Sequence, residues 1–270
     1  MEQITLPTKV DYQSDPENKN KGQIIIEPCY PGYGTTWGNA LRRVLLSSLE
    51  GAAVTAVKIK GVRHEFSTIP HVKEDVLQII LNLKLLRLKI LSIPGESGEK
   101  EEPIKLKLSV KGEKNVTAAD IEKSANVEIV NPDLHLATLT DKKAELEAEI
   151  TVCKGYGYVP SEEKDRTGLD LGTIVMDSIF SPVIKVGYRI DNVRVGKRTD
   201  YEKLTMTIET DGTIFPWQAF IQAAELLNSQ FKFLKETMDK KGKELEKEIV
   251  AKKPAKKKAT KRKKTTKKKK

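Results

Sequence analysis

Three glycines come nearest to chemistry in this 270-residue chain. Gly32-x-Gly34-x-x-x-Gly38 lies between an apolar run and a helical one, close to the spacing of a turn that cradles a dinucleotide phosphate. That fingerprint also requires a βαβ unit and an acid at the end of the next strand. Here the next strand ends Lys58-Ile59-Lys60-Gly61, so tight-turn geometry is the expectation and nucleotide binding is set aside. His64, His71 and His135 have no metal-ligand spacing, and Cys29 and Cys153 stand alone, without a C-x-x-C or a histidine neighbour. No serine or cysteine nucleophile has a recognisable neighbourhood, and no aspartate cluster suits two-metal phosphoryl transfer. The expectation is a chain with no active site, no metal and no cofactor of its own.

The segment after the first glycine has two working faces instead. Gly32–Leu49 reads as a turn feeding a helix, with Thr35 or Thr36 as N-cap and Glu50-Gly51 as its end. Trp37, Ala40, Leu41, Val44, Leu45, Ser48 and Leu49 share one apolar stripe. Asn39, Arg43, Leu46 and Ser47 fall opposite. An arginine pair, Arg42-Arg43, is ordinarily a solvated surface; Leu46 one turn on makes a protein contact the alternative.

A second helical signal stands near the other end. Trp217, Phe220, Ala224, Leu227, Phe231, Leu234 and Met238 step by three and four residues in alternation, the repeat that a helix–helix seam requires. The same stripe serves equally for packing on the chain's own sheet, and the pattern leaves both open. Pro216 suits a first helical turn, and beyond Met238 the repeat thins.

The elements between these helices read as mixed. Ile4–Asp11, Gln23–Glu27 and Val54–Lys60 suggest strands, and Val72–Leu86 a helix. Ile104–Val110 and Leu146–Val152 alternate strictly, as half-buried antiparallel strands do. Pro94–Pro103 reads as a loop, Ala118–Lys123 as one helical turn, and Gly155–Pro160 and Thr210–Thr213 as turns. Val186–Ile190 and Leu204–Ile208 complete an α+β fold of short antiparallel strands and three helices.

Charge is unevenly divided. Ala251–Lys270 holds 13 Lys or Arg and no acid; removing those from the chain's 48 leaves 35 basic against 38 acidic residues, a net of −3. Any polyanion binding therefore belongs to this tail, to Lys256, Lys257, Lys258, Lys261, Arg262, Lys263 and Lys264 among others. Its composition cannot pack, and without interleaved aromatics it would bind DNA non-specifically. The start carries no signal-peptide pattern, and Val76–Ile93 has too many charges for a membrane span, so a cytoplasmic protein is expected.

With those residues in view, the chain resembles the alpha subunits of bacterial DNA-directed RNA polymerase. The most specific segment is Gly34-x-x-x-Gly38-Asn39-Ala40-Leu41-Arg42-Arg43-x-Leu45-Leu46-Ser47-Ser48. Gly61-Val62-x-His64-Glu65-Phe66-Ser67-Thr68, Asn82-Leu83-Lys84, Gly155-x-Gly157-Tyr158-Val159-Pro160, Ser181-Pro182-Val183 and Arg198-Thr199-Asp200 support it, and the likeness runs from about Ile4 to Met238.

The resemblance implies a dimerisation domain of antiparallel strands and two helices from residues 1–50 and 172–240, with an α+β domain inserted at 51–171; the thinning repeat and the composition make 241–270 a helical exit and a disordered Lys-rich tail. It implies homodimerisation through Trp37, Leu41, Val44, Leu45, Phe220, Ala224, Leu227, Phe231 and Leu234, so that the seam becomes the favoured explanation of the heptads. It implies contact with the large subunits through Arg43, Leu46 and Lys84, one copy meeting beta and the other beta-prime, which carries the catalytic magnesium in this family. The function implied is assembly of a nucleotidyltransferase, not catalysis.

Two departures stand out. Family members usually continue into a small carboxy-terminal domain that binds promoter DNA; here the Lys-rich tail follows, so sequence-specific recognition is not carried over. Phe215 precedes Pro216 where the family has a small polar cap. The competing expectation is a free-standing basic DNA-binding protein driven by the tail.

Overall fold

The computed structural model describes residues 4–91, 103–166, 168 and 170–251. In chain order the strands are β1 (Lys9–Ser14), β2 (Lys21–Cys29), β3 (Glu50–Ile59), β4 (Leu88–Ile90), β5 (Ile104–Lys111), β6 (Lys114–Thr117) and β7 (Val127–Ile129). Then come β8 (His135–Leu139), β9 (Glu145–Tyr156), β10 (Tyr158–Val159), β11 (Thr173–Val175), β12 (Ser178–Ile179), β13 (Val183–Val195) and β14 (Arg198–Thr210). The helices are α1 (Tyr33–Ser47), α2 (Val76–Lys84) and α3 (Pro216–Ala251), with single 3-10 turns at Ala118–Asp120 and Ser161–Glu163. The fold is α+β with antiparallel sheets. The Lys-rich tail, and all of the expected Pro94–Pro103 loop except Pro103, lie outside the described residues.

Strands from early and late in the chain share a four-stranded sheet, β1-β2-β14-β13. The middle of the chain builds a six-stranded sheet, β5-β9-β3-β4-β7 with β11 also paired to β3, and two ribbons, β10-β12 and β6-β8. The chain divides into two units, Met1–Ala223 and Ala224–Lys270, so both sheets fall in the first. Within it the six-stranded sheet lies close against Phe180, which follows β12: a Cβ built on Gly51 would fall 1.8 Å from the Phe180 carbonyl oxygen, and one on Gly155 2.9 Å from the Phe180 ring.

The alternating strands bury the side that the pattern marks. Leu106, Leu108, Leu146, Ile150 and Val152 join Val57, Val76, Ile80, Leu88, Val116 and Leu136 in one apolar core between the six-stranded sheet and α2. At roughly 1.5–3 kcal/mol for each fully buried aliphatic side chain, this core dominates the region's stability.

Several local expectations are corrected. Neither Thr35 nor Thr36 caps α1; Gly32, at φ +85°, stands before the helix with no side-chain cap, and Thr36 Oγ1 instead donates back to the Gly32 carbonyl at 3.1 Å. The helix stops at Ser47, where the Ser48 N–H bonds to the Val44 carbonyl, and Gly51 is a strand residue. Glycine is required at 51 for the backbone approach of Phe180, not for a left-handed helix end. The first strand runs from Lys9, not from Ile4.

Helix α2 starts at Val76 instead of Val72 because the preceding residues are claimed by β8. Lys73 N–H bonds to the Thr138 carbonyl at 3.0 Å, and the Thr138 N–H and hydroxyl both donate to Glu74. Asp75 then opens the helix with a capping box, its Oδ1 accepting from the Gln78 N–H at 2.7 Å. At α3 the missing polar cap is supplied from within the first turn, where Gln218 Oε1 accepts the Phe215 N–H at 3.1 Å.

Candidate functional site

The glycine turn is filled by the chain itself. The N–H groups of Gly32 and Gly34, which in a phosphate-binding loop would face an anion, donate to Glu202 Oε1 and Oε2 at 2.9 and 2.8 Å. Glu202 arrives on β14, 170 residues downstream of Gly32, at a register shift between Glu202 and Leu204. A Cβ on Gly34 would sit 2.6 Å from Glu202 Oε2, and one on Gly38 2.8 Å from the Tyr188 ring. The Tyr188 hydroxyl donates to Asn39 Oδ1 at 2.8 Å. The glycines therefore serve to bring α1 down on β13 and β14, and a carboxylate occupies the place of a phosphate.

So fixed, α1 divides its faces. Leu41 and Leu45 are 7% and 0% exposed within a single chain, packed under the helix. Trp37 and Val44 stay half-buried, Trp37 edge-on to Tyr33 at 5.6 Å between ring centroids. Arg42, Arg43 and Leu46 are exposed, and neither arginine has an ion-pair partner among the described residues. Ser47 Oγ turns back to the Arg43 carbonyl at 2.8 Å.

Lys84 is placed differently. It ends α2, half-buried, and its ammonium donates to Asp177 Oδ2 at 2.8 Å. The other carboxylate oxygen accepts the Ser161 N–H at 3.0 Å. These two bonds, the lysine's first, hold the Asp177 carboxyl well below the usual carboxylate range. Nearby, burial pushes the Lys164 amine down to about 8, against the opposing pull of Asp177. Lys164 donates to the Met176 carbonyl and Ser178 Oγ.

Along α3, Ala219 and Ala223 are buried. Phe220, Ala224 and Leu227 are half-buried, whereas Phe231 and Leu234 are 63% and 57% exposed. Lys256, Lys257, Lys258, Lys261, Arg262, Lys263 and Lys264 lie outside the described residues.

The remaining titratable groups are dispersed. His64 Nδ1 meets Ser67 Oγ at 3.2 Å, His135 Nε2 meets Glu74 Oε1 at 3.0 Å, and burial raises the Cys29 thiol above its ordinary value. Among the described residues no group of His, Cys, Asp or Glu has the geometry to hold a metal ion. Among them, too, no helix is long and apolar enough to cross a membrane.

Sequence reasoning missed Glu202, Asp177, Lys164 and the exposed Tyr156, Tyr158 and Ile179. The aromatic–glycine–aromatic run Tyr156-Gly157-Tyr158 was the available signal for the last group: it reads as a turn, yet a turn has no need of two large rings in water. Glu202 and Asp177 carry no local signal, because what they serve lies far away in the chain.

Among the described residues the glycine turn is filled by Glu202, and α1 leaves Arg42, Arg43 and Leu46 exposed. Residues 57–181 match the family described as RNA polymerase Rpb3/RpoA insert domain. The DNA-directed RNA polymerase subunit alpha of Symbiobacterium thermophilum is 53% identical over 211 residues, covering 78% of this chain and 64% of that one. Those of Desulforudis audaxviator and Syntrophomonas wolfei are 49% and 48% identical over 226 and 232 residues, covering 84% and 86% of this chain and 69% and 71% of theirs. The chain thus spans less than two thirds of the Symbiobacterium relative's length. It belongs to the family of DNA-directed RNA polymerase alpha subunits.

Proposed function

We propose that this chain works as the alpha subunit of a bacterial DNA-directed RNA polymerase, in the cytoplasm, as a homodimer on which beta and beta-prime assemble for DNA-templated transcription. The observation that carries the reading is the identity of about one residue in two with alpha subunits over 211 to 232 residues, 78% to 86% of the chain. On this reading residues 1–50 and 172–240 form the dimerisation domain and 51–171 the insert. Phe220, Ala224, Leu227, Phe231 and Leu234 of α3 make the seam, with Trp37 and Val44 contributing from α1 while Leu41 and Leu45 support them from beneath. Arg43 and Leu46 meet a large subunit, with Lys84 at the same interface. The chain holds no cofactor, and the nucleotidyl-transfer chemistry belongs to its partners.

The geometry supports this division of labour through α1. A helix anchored at its start by Glu202 presents Arg43 and Leu46 without a rotational freedom that binding would have to freeze. The Lys-rich tail adds a non-specific hold on DNA, each neutralised phosphate steepening the salt dependence by about 0.9 in log–log slope.

The test is co-expression of the full chain with the beta subunit of the same organism, comparing wild type with Arg43→Ala. Loss of the large chain with the dimer intact is expected. Equal retention of beta by both proteins, or no retention by either, overturns the assignment.

A further inference from the structure

Lys84 enters the reading above as a residue that touches the large subunit, and its surroundings point elsewhere. Its side chain and that of Asp177 are only 25% and 30% exposed, and they face one another. From there the bonds continue inward. Asp177 Oδ1 holds the Ser161 N–H, and Lys164 ties the carbonyl of Met176 and the hydroxyl of Ser178 to the Thr55 carbonyl. Ser178, 1% exposed, passes its own hydroxyl to the Val54 carbonyl at 2.6 Å. The chain of contacts thus runs from the end of α2, through Asp177, to both flanks of one small ribbon and on to β3.

That ribbon needs outside support. It consists of β10 and β12, paired only at Tyr158↔Ile179 and Val159↔Ser178. Two strands of this length are unstable alone in water. Ser161 follows β10 by two residues and Asp177 immediately precedes β12, so the Lys84–Asp177–Ser161 bridge closes the ribbon's open end. At its other end the Phe180 N–H bonds to the Gly157 carbonyl at 2.8 Å, and Gly157 lies against the Ser47 carbonyl of α1, 3.3 Å from where a Cβ would be. Tyr158 and Ile179 are exposed on a ribbon that abuts the helix end carrying Leu46.

We propose that Lys84 is a positioning residue: through Asp177 it fixes the β10–β12 ribbon beside the Leu46 end of α1, so that Tyr158 and Ile179 join Arg43 and Leu46 in one surface for the large subunit. Lys84 does not itself touch that subunit. Removing the lysine leaves a half-buried carboxylate without its counter-charge and frees the turn that Asp177 holds. The proposal rests on the alpha-subunit reading.

The experiment uses the full chain co-expressed with its beta subunit. Lys84→Glu is expected to weaken retention of beta roughly tenfold or more, and adding Asp177→Lys to bring it back within about threefold of wild type, since coupled neighbours compensate and independent contacts do not. Lys84→Arg keeps the pair and binds as wild type. In the free chain, the Ser161 amide reports directly: Lys84→Met is expected to speed its hydrogen exchange about tenfold, with the amides of α1 unchanged.

A charge swap that fails to restore binding, or a Ser161 amide that exchanges at the wild-type rate in Lys84→Met, overturns the proposal. If Arg43→Ala loses beta while Lys84→Glu keeps it, the proposal falls and the alpha-subunit reading stands. If neither variant matters, the reading itself falls.

Discussion

Around the six-stranded sheet, Val57, Leu146 and Ile150 are all but inaccessible to water, and the opposite face of the same strands carries a ladder of charges. Lys105 pairs with Glu149, Lys60 with Glu147 and Lys111 with Glu145, each at 2.7 Å across neighbouring strands. Along α3 the arrangement is reversed, for Phe231, Phe233, Leu234 and Met238 are all exposed. Exposed pairs like those of the ladder add little to stability. Their stronger effect is to make that face costly to desolvate, so it stays in water. The insert region is finished within one chain. The α3 surface gains by being covered, and the spacing of its apolar residues fits a second helix.

Charging α3 separates the two regions most directly. The double variant Phe231→Asp, Leu234→Asp removes two residues of the proposed seam, taken at about 2 kcal/mol each, so self-association is expected to weaken by about a thousandfold. Sedimentation equilibrium at micromolar concentration reads this as a shift from dimer to monomer mass. A dimer that survives would assign the exposed α3 surface to some other partner.

The mirror experiment is Ile150→Ala, in the core of the insert. It should cost about 2–5 kcal/mol in urea unfolding, by lost burial plus the cavity left behind. Self-association of the folded protein should not change. If Ile150→Ala weakened the dimer as strongly as the α3 variant does, the insert region would not be the self-sufficient body that its burial describes.

The contrast also explains what the sequence could and could not disclose. Strands β5 and β9 were legible because alternation is a property of neighbouring residues: Leu106, Leu108 and Leu146, Ile150, Val152 stand where period two requires. The last helix was legible for the same reason. Short strands such as β4, β7, β11 and β12 were not, since two or three residues carry no period and exist only through partners elsewhere. Gly51 was misread by local logic, because glycine after a helix suggests a left-handed end and only the fold reveals Phe180 above it. The site was legible in part. Arg43 and Leu46 are exposed on α1 as the wheel suggests, but the carboxylate that anchors this helix comes from residue 202, and the one that engages Lys84 is 93 residues from it.

The smallest expected effect lies in the polar stitch that Lys164 makes between β3 and the strand β12, and it separates by pH. Burial puts the Lys164 amine at about 8 in the folded chain, below the ~10.4 of an unfolded lysine. Between those values the unfolded chain binds a proton that the folded chain does not, so stability rises with pH across the window and is flat below it. Asp177, held low by Lys84 and the Ser161 N–H, acts in the same sense at the acid end. Its stabilisation is complete above an unfolded value of about 3.9 and is lost as pH falls through the folded one. Cys29 opposes in the upper window, because its raised folded value lets the unfolded thiol ionise first. Lys9, Lys60, Lys105 and Lys111 are raised by their carboxylate partners and so lose stability only above the range of an unfolded lysine. The measurement is therefore a difference: urea midpoints of wild type and Lys164→Met at pH 7.0 and 9.5, in which Cys29 cancels. Wild type should gain on the variant as pH rises. A difference that stays constant, or shifts in favour of the variant, would mean that the ammonium remains protonated among its three acceptors, and that the stitch holds by charge up to the pH where lysines ordinarily titrate.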